Sequence, residues 1–414
     1  MTLSRKSFDV KIARRNFPAL DYCDSQGNPI AYFDNSATTQ RPQCVIDALV
    51  DFYTHYNANV HRGFYEWGRL ATEAYEGTRK RLMEFIGAEN TREIVFTHGA
   101  TESLNCLAEI LTQRFLKAGD EIVVTELEHH SNIIPWQMQQ TKRGISVKGW
   151  AIDPDGNLDL DQLESLLTPK TKILSLTHVS NVLGTTPPLK KIIERAHANN
   201  TLVVVDGAQA VAHLPICVKD LDCDFLVGSS HKMYGPMGAG FFYGKENLLQ
   251  ELPPYHGGGT MMESVFIDSF TQADIPMRFE AGTPAVADII GFGKAIEYLQ
   301  QFTWESLTSY ENEVLVYAEH ALQSIPHVHI VGLPQKRTAV LSFVVDKVHP
   351  HDVATIINDS NVAVRAGYHC CQPLMRRLKY NGGVVRASFG LYNTCEDVDR
   401  LVKALYNVLK VFKL

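Results

Sequence analysis

Thr201-Leu-Val-Val-Val-Asp-Gly-Ala-Gln209 and, a short way on, Asp224-Phe-Leu-Val-Gly-Ser-Ser-His-Lys232 share one design: a short, largely β-branched or aromatic apolar run that ends in a polar tetrapeptide. Such runs read as buried parallel strands, because a parallel sheet is covered on both faces and its strands lose the apolar–polar alternation. Asp206 then stands at the carboxyl end of the first strand, and Ser229, His231 and Lys232 stand at the end of the second. Ligands of open α/β sheets bind outside those ends. The two tetrapeptides therefore bring an acid, an amide, two hydroxyls, an imidazole and a lysine to one edge.

Outward from this pair, Glu93-Ile-Val-Phe96, Glu121-Ile-Val-Val124 and Thr171-Lys-Ile-Leu-Ser-Leu176 repeat the strand pattern between helical stretches. The alternation predicts an α/β fold with a mainly parallel central sheet wrapped by helices over residues 31–295. Near Ile290 a long helical stretch begins, with Gly293-Lys-Ala-Ile-Glu-Tyr-Leu inside it. Thr338-Ala-Val-Leu-Ser-Phe-Val-Val345 and the amphipathic His351-Asp-Val-Ala-Thr-Ile-Ile357 follow, and they predict a smaller α+β C-terminal domain over 296–414. Residues 1–30 are expected to pack with that small domain. No Pro/Gly/Ser-rich linker separates the parts, so a cleft between closely packed domains is expected.

The 414 residues are 45% hydrophobic and 21% charged, with a formal charge of −7. That balance speaks against a nucleic-acid surface, which needs a basic stripe to displace counterions from phosphates. No run reaches membrane-spanning length and the opening lacks a signal-peptide core, so a cytoplasmic protein without membrane or nucleic-acid partners is expected. Eight dispersed cysteines argue against a disulfide framework. No Cys-x-x-Cys occurs, and His129-His130 or His349-Pro-His351 alone are weak metal signals, so no metal is expected.

One cofactor uses the whole set at the sheet edge. Pyridoxal 5'-phosphate needs a lysine for its aldehyde, donors for its phosphate and a carboxylate for its pyridine nitrogen. Asp206 beside that nitrogen would keep it protonated. Alone, a strand-end Asp capping a helix and a Lys reaching solvent would explain each tetrapeptide equally well. Thr97-His-Gly-Ala-Thr101 follows a strand and opens a helix, which fits either a phosphate cradle or an ordinary cap by Thr101. His129 lies just beyond another strand, where its ring could stack on the cofactor and move protons near neutral pH. The glycines of Gly235-Pro-Met-Gly-Ala-Gly240 lack nucleotide-loop spacing and are read as letting backbone pass close to the cofactor. Gly367-Tyr-His-Cys370-Cys371-Gln-Pro places a thiol in a polar turn: a nucleophile, a surface cysteine or half of a vicinal disulfide. Arg386 could hold a carboxylate or make a surface ion pair.

Taken together these motifs, with Tyr32-Phe-Asp-Asn-Ser-Ala-Thr-Thr39, Asn59-Val-His-Arg-Gly63, Glu128-His-His-Ser-Asn132, Arg278-Phe-Glu-Ala-Gly-Thr-Pro284 and Arg365-Ala-Gly-Tyr-His-Cys370, make a chain that resembles the group II, SufS-like cysteine desulfurases. These belong to the class V, fold-type I pyridoxal-phosphate enzymes. The resemblance implies that Lys232 carries the cofactor covalently, Asp206 pairs with the ring nitrogen, Gln209 touches the ring oxygen and His129 stacks on the ring. It assigns Thr101, Ser229 and His231 to the phosphate, with Thr283 reaching the phosphate of a neighbouring subunit in a homodimer. Asn181 and Arg386 would hold the substrate carboxylate, and Cys370 would accept sulfur.

The implied reaction converts L-cysteine to L-alanine, with Lys232 moving the Cα proton and Cys370 thiolate taking the sulfur as a persulfide. The sulfur would pass to a SufE-like or SufU-like acceptor for iron–sulfur cluster assembly, and L-selenocysteine fits the same pocket. Three positions depart from the family pattern: Cys371, Tyr368 in place of a common histidine and Ala100 in place of a common threonine. Cys371 leaves open which thiol takes the sulfur. An aminotransferase, epimerase or kynureninase-like hydrolase would keep Asp206 and Lys232 but ignore Cys370, and a non-catalytic sulfur carrier would need neither.

Overall fold

The computed structural model describes residues 7–414; the first six residues of the expected N-terminal segment lie outside the described residues. Its larger sheet has seven strands in the order Ile94–Thr97, Gly240–Gly244, Phe225–Ser229, Leu202–Asp206, Thr171–Thr177, Glu121–Thr125, Ser146–Trp150. Gly240–Gly244 runs antiparallel to both of its neighbours, and the remaining pairs are parallel.

The strand at Leu202–Asp206 shows why its sequence is uninterrupted in apolar character. Val203 and Val205 enter the core on one face and Val204 the core on the other, as side chains alternate along a strand. The helix Ala100–Phe115 covers the second face with Leu104, Leu107, Ala108 and Leu111, one stripe at helical spacing. The helices Glu66–Ile86 and Val286–Leu299 cover the first. Within that layer Arg79 is 1% exposed; it pairs with Glu280 at 2.6 Å, donates to Ile94 O and lies over the Phe96 ring.

The helical stretch expected as one piece beyond Gly293 is two helices, Val286–Leu299 and Trp304–Gln323. Thr303 begins the second by accepting from the Ser306 N–H, a cap the apolar pattern alone conceals. A four-stranded antiparallel sheet follows, in the order Val328–Ile330, Val340–Val345, Val384–Ser388, Arg365–Gly367. Helices Trp304–Gln323, Pro350–Asn358 and Cys395–Phe412 share its core. The last begins at a reciprocal cap between Thr394 and Asp397 and buries Val398, Leu401, Leu405 and Val408.

Two features refine the expected division of the chain. Ala31–Tyr32, counted with the larger sheet in the sequence, pairs in parallel with Val362–Ala363, and Ala31 and Phe33 lie in the smaller core. The segment before it touches both parts: Arg14 pairs with Asp397 at 2.7 Å, while Phe17 packs edge-on against Tyr234, Tyr298 and Tyr392.

Candidate active site

The carboxyl ends of the parallel strands open onto a cavity of about 750 Å³, closed on its far side by residues of the smaller sheet. Thr177, Asp206 and Ser229 come from strand ends, His98 to Thr101 and His129 from the segments after two further strands, Arg365 and Arg386 from the small sheet, and His369 and Cys370 from the turn that follows Arg365–Gly367. The sequence-predicted residues Thr101, His129, Asn181, Asp206, Gln209, Ser229, His231, Lys232, Cys370 and Arg386 all line this one cavity. Thr283 does not. It lines a separate surface cavity with Gly259 and Thr260, its hydroxyl 3.4 Å from Asn59 Nδ2.

Lys232 follows a strand through one turn, Ser230–Lys232, and among the described residues has no ion pair or hydrogen bond. Burial lowers its pKa; the Asp206 charge opposes that and Arg386 adds to it. Asp206 is buried, its Oδ1 accepting from Ala208 N at 3.0 Å, and burial raises its carboxyl. Gln209 donates to Ser36 O at 2.9 Å, which fixes its amide beside Asp206.

At the other end of the cavity the helix Ala100–Phe115 points its first turn inward. Thr101 is the second residue of that helix, so the alternative of a cap by Thr101 is corrected: Gly99 precedes the helix, at φ 154°. Thr101 instead offers its hydroxyl, 2.8 Å from Ser131 Oγ, and Ser229 Oγ accepts from Ala100 N at 2.8 Å. First-turn N–H groups have no acceptor within their own helix and face an anion with the positive dipole end. A Cβ on Gly240 would stand 2.4 Å from Gly99 Cα, so this glycine lets its strand pass close to the turn before Ala100–Phe115, whose Gly99 lines the cavity.

His129 Nδ1 accepts from Ser131 N at 3.1 Å, which leaves the ring proton on Nε2. Burial first, then the Lys232 charge, brings its pKa down to about 4. The expected titration near neutral pH is therefore displaced: His129 is a neutral imidazole at pH 7. His231 is likewise held to about 4 by burial and by Lys232.

The two adjacent cysteines lie in opposite environments. Cys370 is exposed and free, in a turn where His369 (φ 50°) and Cys370 (φ 56°) are both left-handed. Cys371 is fully buried and free, its thiol donating to Asn181 Oδ1 at 3.0 Å. No disulfide joins them, which removes the vicinal-disulfide alternative. Asn181 also donates from Nδ2 to His369 O, and its own carbonyl accepts from Arg386 Nη1 at 3.0 Å. Arg386 is buried and pairs with Asp34, so it is not a surface ion pair.

A scan against family models matches residues 31–401 to the class V aminotransferases. A cysteine desulfurase of Serratia proteamaculans is 44% identical over 98% of this chain and 99% of its own length. The chain belongs to the cysteine desulfurase family. A probable cysteine desulfurase of Mycolicibacterium paratuberculosis is 45% identical over 97% of the chain, which spans 58% of that longer relative. The crystal structure of the Escherichia coli cysteine desulfurase CsdA, solved as its S-sulfonic acid, superposes with a TM-score of 0.91, at 37% identity, over 98% of this chain and 100% of its own.

Cysteine desulfurases of this fold depend on pyridoxal phosphate, and the residues of the cavity fit that group. A half-buried lysine without a partner, a strand-end acid and a cluster of hydroxyls at a helix N-terminus are the three contacts it requires. Buried His231 Nδ1 and Arg386 Nε, both without a protein partner, add hydrogen-bonding capacity aligned with neither solvent nor protein.

Several residues escaped the sequence reading as individuals. Ser131 joins Thr101 to His129. Glu128, buried beneath them, accepts from Asn132 Nδ2 and Thr177 N, and burial raises its pKa to about 8. His130 donates its N–H to Cys370 O and accepts at Nε2 from Gln372 N. All three sit inside Glu128-His-His-Ser-Asn132, where an acid followed by two histidines is the available signal.

Proposed function

We propose that this cysteine desulfurase moves the sulfur of L-cysteine onto Cys370. Pyridoxal phosphate, when bound, supplies an electron sink for the amino acid's Cα. Lys232 would hold it covalently, Asp206 its ring nitrogen, Gln209 its ring oxygen and His129 its ring face, with Thr101, Ser229 and His231 on its phosphate. The lowered pKa of Lys232 supports a second duty, since an amine with a larger neutral fraction can take the Cα proton at Nζ and return one at Cβ. Arg386 and Asn181 would orient the substrate carboxylate.

In the transfer, the Cβ–S bond of cysteine breaks and the Cys370 thiolate forms the new S–S bond. L-Cysteine and the enzyme thiol thus become L-alanine and the enzyme persulfide, with no external oxidant. The exposure of Cys370 at the cavity mouth is the observation that carries this reading. It lets one thiol meet substrate within and a protein acceptor outside. That acceptor would be of the SufE or SufU type, in iron–sulfur cluster assembly, and L-selenocysteine would serve as an alternative substrate.

The position of Thr283 outside its own cavity supports a homodimer in which it reaches the partner's phosphate. Phe64, Phe266 and Ile267, more than half exposed, are apolar surface for such an interface. The division into a large part, 31–295, and a small part, 296–414, would place the acceptor loop on the small one. Among the described residues no helix is long and apolar enough to cross a membrane. All eight cysteines are free, which fits a reducing, cytoplasmic setting.

Two measurements test the proposal. Borohydride reduction followed by peptide mass analysis should mark Lys232, and Lys232→Ala should abolish both the mark and alanine formation. Cys370→Ala should keep the mark yet lose alanine turnover by more than a hundredfold. Full turnover in that variant would overturn the sulfur step.

A further inference from the structure

Cys371 has no duty in the reaction as proposed, yet its thiol is buried, free and aimed at an active-site side chain. Sγ lies 3.0 Å from Asn181 Oδ1, and Leu374, Met375 and Val384 share its apolar cluster. Burial raises its pKa well above that of an ordinary thiol, so the sulfur keeps its proton and acts as a donor. Asn181 lines the cavity, and its Nδ2 gives one proton to His369 O at 2.9 Å, leaving a second.

An amide can be turned end for end within the same volume. Turned, Asn181 would place Oδ1 against the His369 carbonyl and offer the cavity an acceptor where a carboxylate needs a donor. The thiol proton opposes that turn because it needs Oδ1 on its own side. The same amide anchors the carbonyl of His369, the first of the two consecutive left-handed residues of the acceptor turn. Such non-glycine conformations persist only where the surroundings over-determine them.

We infer that Cys371 is a positioning residue: its S–H fixes the orientation of the Asn181 amide, which presents an N–H to the substrate carboxylate and holds the Cys370 turn. This rests on the reading of Cys370 as acceptor and of Asn181 as a carboxylate ligand. Cys371 itself takes no sulfur.

The test compares three variants of the cofactor-loaded enzyme, assayed for alanine release over a range of L-cysteine. Cys371→Ser keeps a donor, Cys371→Val keeps apolar volume without one, and Cys371→Ala keeps neither. The Ala and Val variants should raise KM for L-cysteine about tenfold, the effect of about one lost hydrogen bond, with kcat changed less than threefold. Cys371→Ser should bring KM back to within threefold of the parent.

Rescue by Val but not Ser would assign Cys371 to packing alone and overturn the inference. A hundredfold loss of kcat in both Ala and Ser would make the sulfur a reactant and overturn it as well, as would three variants with the parent's KM. If Cys371→Ala folds poorly, the Ser and Val pair still separates donor from volume. Cys370→Ala judges the acceptor reading separately, because it removes turnover without touching the Asn181 contact.

Discussion

Asp34 Oδ1 lies 3.2 Å from Arg386 Nη2 and joins the segment after Ala31–Tyr32 to an interior strand of the smaller sheet. The same carboxylate pairs through Oδ2 with Arg365 Nη2 at 2.8 Å. Arg386 is therefore aimed before any substrate arrives: Nη2 is held by Asp34 and Nη1 by the Asn181 carbonyl, while Nε has no protein partner.

Asp34→Ala should release that aim. Hydrogen bonds to charged groups are worth about 1.5–3 kcal/mol, so KM for L-cysteine should rise by about one to two orders of magnitude, with Lys232 still loaded. Steady-state alanine formation measures this, and an unchanged KM would remove Asp34 from the binding machinery.

Glu128 sets a pH dependence of stability. Its pKa in the folded chain, raised to about 8 by burial, lies far above the value of about 4.3 for an unfolded glutamate. Between these values the folded chain holds a proton that the unfolded chain has released, so stability falls as pH rises through this window and levels off above about 8. Urea unfolding of the parent and of Glu128→Gln at pH 5, 7 and 9 should show the parent's advantage shrinking with pH. A constant difference would refute the assignment.

The pair of Arg79 and Glu280 is buried at both ends, with side chains 1% and 6% exposed. Arg79 also pairs with the more exposed Glu76 at 2.9 Å, so Glu280→Ala strips the buried guanidinium of its buried partner only and should cost about 3 kcal/mol in denaturant unfolding, the low end for a broken buried pair. The double replacement Arg79→Met with Glu280→Leu removes both charges and should cost clearly less than the two single changes added together.

What could be read in the sequence was what is local. Val203 to Val205 and Phe225 to Val227 declare a doubly covered strand by composition alone, and the polar residues that follow must then stand at its end. Residues whose meaning depends on distant partners stayed mute. Asp34 meets Arg386 across 352 positions, and Cys371 meets Asn181 across 190. That Cys370 is exposed while its neighbour is sealed depends on two left-handed residues that no propensity signals. His129 follows the strand Glu121–Thr125 and lines the cavity, a position local sequence can indicate, but its lowered pKa comes from burial and from Lys232, which only the assembled cavity supplies.

The single reversed strand, Gly240–Gly244, has a mechanical effect. A parallel return would need a crossover of a dozen or more residues to the far side of the sheet. By running backwards, the chain re-enters the sheet at Gly240 after the loop that bears Lys232, so both ends of that loop are tied into one antiparallel ladder, Ser229 opposite Gly240. An anchor at Lys232, as proposed, would thereby have little slack, and travel during turnover would fall to side-chain torsions of Lys232 and to the loop of Cys370.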